Sequence, residues 1–363
     1  MGQRLATPVI LVLATWLVGC RAEVAMSTPP APTETATSAP TVTATPAPTA
    51  TATAIPTADA LSDKEIATLN SLEQVDDYPL YTMRYYGAYA DPDDFGEVAS
   101  AGTWACSLFA ALGDEAHMLY GRNFDWQFSP AVLLFTAPPD GYASVSMVDI
   151  AYFFEEDVAK SLTEQSLETR QILLLAPYMP FDGMNEHGLA VGMAAVQGSR
   201  MPLDPDKPEI DSLDVIRKML DHARDVDEAL AVLQSYNVSM VGGPPLHYLI
   251  ADATGRAVLV EFYEGEVILL PNETPWHLAT NHLRVVAEEI GGWGCWRYKE
   301  IDERLVERQG RLSAQEALDL LEQISQPSTQ WSVVYEMSQG QVHVSMGRAY
   351  DAVHIFELAH GNE

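Results

Sequence analysis

Bulky apolar side chains fall into three regimes along this chain. They dominate one short stretch at residues 8–17, are nearly absent from 26 to about 58, and recur from 61 onward in clusters separated by Gly, Pro and Asp. The ordered part opens with Ser62-Asp63-Lys64-Glu65, the form of a helix capping box, and Ile66, Leu69 and Leu72 continue on one helical face. Residues Tyr78 to Tyr89 are aromatic-rich and are expected to pack on the domain C-terminal to them. Short strands are expected at Ser107 to Leu112 and His117 to Tyr120, around a turn at Gly113-Asp114, and buried strands at Ile172 to Leu175 and Leu189 to Val196. Two helices are expected from Ser212 to about Arg224 and from Val226 to Tyr236. A meander comes next over Leu246–Ala251, Ala257–Tyr263 and Val267–Leu270, with turns at Asp252-Ala253-Thr254-Gly255 and Glu264-Gly265. Helices are then expected from about Cys295 to Arg308 and from the Ser313 cap to about Ile324. The last strands are expected at Trp331–Met337, Gln341–Met346 and Val353–Leu358. Strands come in clusters with helices between the clusters, an α+β pattern of antiparallel sheets covered by helices.

Composition narrows the function. The 363 residues are 47% hydrophobic, enough for a sizeable core, but 51 Asp and Glu against 20 Lys and Arg give a net charge of −31. So acidic a surface, without a basic run, disfavours a nucleic-acid partner, and none is expected. At the N-terminus Arg4, the run Pro8 to Leu17 and Leu17-Val18-Gly19-Cys20 read as a secretory signal, and Leu-Val-Gly-Cys resembles a bacterial lipobox whose Cys20 is lipidated. The expected organisation is a lipoprotein signal peptide over 1–20, a disordered Thr/Ala/Pro-rich tether over 21–60, a propeptide or small subunit over 61–105 and a catalytic domain over 106–363. The tether cannot bury apolar surface and suits a domain held off the outer face of a membrane.

The chain has three cysteines, Cys20, Cys106 and Cys295. A Cys106–Cys295 disulfide is compatible with export. Cys106 opens an apolar strand, as a core thiol would. It comes after the small-residue stretch Ala101-Gly102-Thr103-Trp104-Ala105 and precedes Gly121-Arg122-Asn123-Phe124-Asp125-Trp126. An Arg and an Asp beside a thiol supply what a cysteine nucleophile lacks, a charge favouring thiolate and a carboxylate to orient a base. The base has two readings. His282, beside Asn281, would make a papain-like pair without processing. Alternatively Cys106 is its own base, through an α-amine freed by cleavage after Ala105. A non-catalytic, lipid-anchored binding protein is the third reading.

Cys106 with Gly-Arg-Asn-Phe-Asp-Trp, placing Arg122 and Asp125 at +16 and +19, resembles the N-terminal-nucleophile linear amide hydrolases of the choloylglycine hydrolase, acid ceramidase and isopenicillin-N acyltransferase group. Phe181-Asp182-Gly183-Met184-Asn185-Glu186-His187-Gly188-Leu189 and Leu278-Ala279-Thr280-Asn281-His282 resemble two further segments of that group. The resemblance covers about Asp77 to the C-terminus. It implies a four-layer αββα fold of two packed, mainly antiparallel sheets between helical layers. It also implies self-cleavage at Ala105-Cys106, with turnover of N-acylated small molecules through a thioester. Arg122 would sit beside the thiolate, Asp125 would bond the α-amine, and Asn281 would donate to the oxyanion. Arg297 lies near a family arginine, with the alternative of a solvated helical charge paired to Glu300. Bile salt hydrolases carry a second oxyanion asparagine where this chain has Ala195, so a backbone N–H at Ala195 is the second candidate donor. Asn185 and Glu186 read as a turn. No metal-ligand spacing or phosphate loop appears, Gly291-Gly292-Trp293-Gly294 reading as a plain loop, so neither metal nor cofactor is expected.

Overall fold

The computed structural model describes residues 61–92, 105–241, 243–287 and 294–358, all within the compact unit Ala50–Glu363. The leader, Cys20, the tether and residues 291–293 of the expected loop lie outside them. In chain order the elements begin with α1 (Asp63–Asn70), β1 (Glu73–Asp76), β2 (Leu80–Tyr85), β3 (Ala105–Ala111), β4 (Leu119–Asp125), β5 (Ala131–Thr136) and β6 (Ser144–Asp149). The single turns α2 (Glu156–Ala159) and α3 (Leu167–Arg170) lead to β7 (Pro180–Asn185), β8 (Ala190–Ala195) and β9 (Glu209–Asp211). Next come α4 (Asp214–His222), α5 (Val226–Gln234), β10 (Asn237–Ser239), β11 (Leu246–Ala251), β12 (Ala257–Tyr263), β13 (Glu266–Pro271) and β14 (Trp276–Ala279). The chain finishes with α6 (Trp296–Arg308), α7 (Ala314–Gln323), β15 (Thr329–Glu336), β16 (Gln341–Met346) and β17 (His354–Glu357).

Two large sheets result, one ordered β1-β2-β5-β6-β7-β8-β11-β12-β13 and the other β14-β3-β4-β15-β16-β17. Within them every pairing is antiparallel except β2 with β5. The inner face of the second sheet carries Cys106, Leu108, Tyr120, Phe124, Trp331 and Tyr335, packed against Phe181, Val191, Met193 and Tyr248 of the first. Its outer face, through Phe109, Leu119 and Val334, packs on α6 and α7. The first sheet's outer face is covered by α4 and α5 at one end. At the other end α1 and a 3-10 segment, Gln171–Tyr178, cover it. The expected αββα layering is therefore present. Because both faces of each sheet are covered, strands such as β3 and β5 read as continuous apolar runs without polar alternation.

The capping box forms, Ser62 Oγ accepting from the Glu65 N–H at 3.3 Å and the Glu65 carboxylate accepting from the Ser62 N–H at 2.7 Å. One expectation fails. Ile172–Leu175 lies inside the 3-10 segment Gln171–Tyr178 and is not a strand. A run of four apolar residues fits a buried strand or a buried helical turn equally. Here Leu173 and Leu174 pack in one cluster with Met83 and Leu134, and Pro177 has no N–H to give a ladder. The aromatic stretch after α1 is also more than a packed arm. Within it β2 hydrogen-bonds β5 in register from Leu80↔Ala131 to Tyr85↔Thr136, so residues upstream of Cys106 supply an edge of the first sheet.

The two sheets are in contact at β8 and β3. A Cβ on Gly192 would lie 2.7 Å from the Tyr120 hydroxyl and 3.0 Å from Leu108 Cδ2. Tyr120 cannot yield freely, because its hydroxyl donates to the Leu249 carbonyl at 2.9 Å. Gly192→Ala is expected to destabilise the protein by about 1–3 kcal/mol, read as a lower urea midpoint at unchanged m-value.

Candidate active site

Strands β3 and β4 pair Ala105 with Asp125 and Cys106 with Phe124, so Arg122 stands one diagonal step from Cys106 on the same inner face. Arg122 Nη2 donates to Cys106 Sγ at 3.4 Å and to the Met193 carbonyl at 3.1 Å. Its Nη1 is ion-paired with Asp182 on β7, whose other oxygen accepts from the Tyr335 hydroxyl on β15. Arg122, Asp182, Tyr335 and Cys106 are all completely buried. The guanidinium is thus fixed between the sheets by a carboxylate on one side and a thiol on the other.

The main chain of Cys106 is held as firmly. Strand β14 ends at Ala279, opposite Leu108. Two residues further on, the Asn281 side chain continues the ladder by accepting from the Cys106 N–H at 2.8 Å. Arg297, from the first turn of α6, reaches the Cys106 carbonyl at 2.5 Å, Ser107 Oγ at 2.7 Å, Asp125 Oδ2 at 3.4 Å and Asn281 Oδ1 at 2.8 Å. Asp125 accepts in addition from Thr329 and Gln326, each at 2.5 Å. Asn281 Nδ2 donates to the Ala195 carbonyl at 2.8 Å, which settles the orientation of its amide. Ala195 itself ends β8. The Val196 N–H bonds the carbonyl of Pro245, the residue just before β11. By strand alternation the N–H and C=O of Ala195 therefore point the other way, to the edge where Met193 and Ala195 meet Arg122 and Asn281.

Electrostatics are set by burial. Burial pushes the Cys106 thiol up, while Arg122, by charge and hydrogen bond, and Arg297 pull it down without reversing the shift. Burial works against the charge on Arg122, but the thiol and Asp182 beside it hold its pKa above the usual guanidinium value. Burial likewise raises Asp125 against the pull of Arg297, Thr329 and Gln326. The thiol is buried with the Arg122 guanidinium in contact with it.

Cys106, Arg122, Asp125, Asn281 and Arg297 form one contact network. Ala105 is the cross-strand partner of Asp125, and Ala195 joins the network through its carbonyl. The Cys106 N–H goes to Asn281, and Asp125 connects to Cys106 through Arg297. Arg297 is buried and does not pair with Glu300, which accepts from Gln323 instead. His282 contacts Thr280 at 3.0 Å and meets the Tyr298 ring edge-on, and no disulfide joins Cys106 to Cys295. Asn185 closes the β7–β8 turn, accepting from the His187 and Leu189 N–H groups and donating to carbonyls at the end of α4. Asp182, Tyr335, Gln326 and Thr329 join the network without being among the residues the sequence points to. Asp182 alone carried a signal, an acid between Phe181 and Gly183 on an apolar strand. Among the described residues no group of three or more His, Cys, Asp or Glu could hold a metal ion.

Just beyond Asp125 a cavity of about 480 Å³ is lined by Gln127, Phe128, Tyr152, Phe153, Phe154 and Glu155, among others. The Tyr152 ring packs on Phe181 at 5.7 Å, and Phe181 packs on Phe124 at 5.2 Å, the cross-strand neighbour of Cys106. Aromatic side chains therefore run from the wall of this cavity to the strand beside the thiol.

Residues 106–274 match the family model described as linear amide C–N hydrolases, choloylglycine hydrolase family. Among solved structures, penicillin V acylase from Agrobacterium tumefaciens is similar at 17% identity, over 70% of this chain and 86% of that one, with a TM-score of 0.49. A cysteine-to-alanine mutant of conjugated bile acid hydrolase from Clostridium perfringens is similar at 15% identity, over 70% and 92%, with a TM-score of 0.48. No curated protein matches the chain in sequence.

Arg122→Lys keeps a charge but loses the fork that spans Asp182, Met193 and the thiol. Since Arg122 lowers the thiol pKa, weakening that contact raises it. The pH profile of iodoacetamide labelling at Cys106 is expected to move to higher pH, with the neutral-pH rate falling about tenfold.

Proposed function

We propose that this chain, a member through residues 106–274 of the linear amide C–N hydrolases of the choloylglycine hydrolase family, is a precursor that cleaves itself after Ala105 to expose Cys106 as an N-terminal nucleophile. The observation that carries this reading is the threefold grip on Cys106, with Asn281 on its N–H, Arg297 on its carbonyl and Arg122 on its thiol. A side-chain nucleophile paired with a histidine has no use for a clamp on its own nitrogen. A residue that becomes both nucleophile and base does. His282, the candidate of the papain-like alternative, is engaged with Thr280 and Tyr298.

In the processing step Cys106 Sγ attacks the Ala105 carbonyl carbon, the Ala105–Cys106 C–N bond breaks, and the thiol proton passes to the departing nitrogen. Water then hydrolyses the thioester, releasing the Ala105 carboxylate, the free thiol and an α-amine of ordinary pKa about 7.7–8.0. In turnover that amine takes the thiol proton, the thiolate attacks a substrate amide, and the protonated amine returns the proton to the leaving nitrogen. Water releases the acyl group from the second thioester, and an amine in place of water would give acyl transfer. Arg122 stabilises the thiolate. Asn281 Nδ2, exchanging the Ala195 carbonyl for the substrate oxygen, and the Ala195 N–H supply oxyanion donors, each worth about 3–4 kcal/mol where such donors have been removed.

Two further parts of the proposal concern the segment before Cys106. Residues 61–105 remain docked after cleavage, because β2 keeps its ladder to β5 and α1 keeps Leu69 buried. Upstream of them, lipidated Cys20 and the tether hold the enzyme at the outer face of a bacterial membrane.

Intact mass is expected to give two chains meeting at Ala105/Cys106, which coelute on gel filtration without denaturant. Cys106→Ala is expected to give one uncut chain and no release of amine from a panel of phenoxyacetyl, fatty-acyl and sterol-acyl amides. Full activity in an uncut wild-type chain would overturn the processing mechanism. Cys20→Ser is expected to move the protein from the membrane fraction to the soluble one.

A further inference from the structure

Glu261, on β12 in the first sheet, is completely buried and makes no contact with Cys106, yet both its oxygens leave that sheet. Oε1 accepts from the Arg284 N–H at 2.7 Å, and Oε2 accepts from the Val285 N–H at 2.9 Å. These are the third and fourth residues after Asn281, in the turn beyond β14. Beside Glu261 on β11, His247 is also completely buried, with Nδ1 3.2 Å from Glu261 Oε1. A carboxylate oxygen that already accepts requires the ring to donate, so Nδ1 carries the proton. Burial works to raise the Glu261 carboxyl, but His247 and the two backbone N–H groups outweigh it and hold the group below the usual carboxylate value.

The turn has need of this support. Strand β14 stops at Ala279, so the backbone from Thr280 onward has left the ladder with β3, and Asn281 stands at its start. The side chain of Asn281 must hold Cys106, Arg297 and Ala195 together. A buried carboxylate that takes two successive N–H groups fixes the turn behind it. We propose that Glu261, oriented by His247, is a positioning residue for Asn281, carrying the rigidity of the first sheet across to the oxyanion donor of the second. This rests on the amidase reading above.

The test is a double-mutant cycle in the matured protein with both of its chains present, with an acyl amide that the wild type hydrolyses in a Cys106-dependent manner. Glu261→Gln keeps the shape but sets an NH₂ against a backbone N–H. It is expected to lower kcat about tenfold or more, with KM changed less than threefold. In an Asn281→Ala background the same change is expected to cost less than twofold. Equal losses in both backgrounds, or an unchanged kcat, would overturn the proposal while leaving the amidase reading standing. Wild-type hydrolysis that survives Cys106→Ala would instead overturn the amidase reading. Should Glu261→Gln fail to accumulate, His247→Gln is read in the same cycle, with a smaller loss that again disappears in Asn281→Ala. Hydrogen exchange reads the turn without turnover. Peptides spanning 280–287 are expected to exchange faster in either variant than in the wild type, and unchanged exchange there would count against the assignment.

Discussion

The structure depends on one buried ion pair. Arg122 and Asp182 project from facing sheets into a completely buried space, and neither charge is tolerable there without the other. Breaking a buried pair by removing one partner typically costs about 3–5 kcal/mol, because the survivor is left uncompensated. The pair therefore fixes how β4 and β7 face each other, and the arrangement at Cys106 is a consequence. Arg122 has enough donors to reach the Met193 carbonyl and the thiol as well as Asp182, so the same group that joins the sheets also acts on the electrostatics of the Cys106 thiol.

Around that pair the packing is made of shapes that admit little substitution. Phe124 stacks on Trp331 at 4.1 Å and meets Phe181 edge-on, which fills the inner layer beside Cys106 with flat, rigid side chains. Gly192 lets β8 come against Tyr120 and Leu108, bringing the carbonyls of Met193 and Ala195 within reach of Arg122 and Asn281. A side chain here would push the two halves of the site apart. Helix α6 performs the corresponding task from outside, because a residue on its first turn can thread a guanidinium to the Cys106 carbonyl and Asp125 together.

Much of this was legible in the sequence, for identifiable reasons. Helix caps at Ser62 and Ser313 are local chemistry, and both form. The meander from Leu246 is punctuated by turn residues, and its strands fall nearly where those residues put them. Cys106, Arg122 and Asp125 lie on adjacent strands of one hairpin, so short spacing along the chain becomes proximity in space. Strands β5 and β6 give no such signal, because strands covered on both faces lose the alternation that marks a strand. Ile172–Leu175 misleads because four apolar residues carry no period. Asp182 and Tyr335 are hidden as partners of Arg122, since they come from β7 and β15 and nothing local ties either to the arginine. Pairing across sheets is written in the tertiary fold alone.

The parallel pairing of β2 with β5 has a consequence for how the molecule can be produced. Strand β5, Ala-Val-Leu-Leu-Phe-Thr, is buried along its whole length, and on one side its backbone is satisfied only by residues upstream of Cys106. A chain begun at Cys106 would offer that apolar, hydrogen-bond-hungry border to any passing strand, a recipe for intermolecular pairing. The upstream segment is then a strand donor supplied in cis, covering the border it pairs with as part of the same chain.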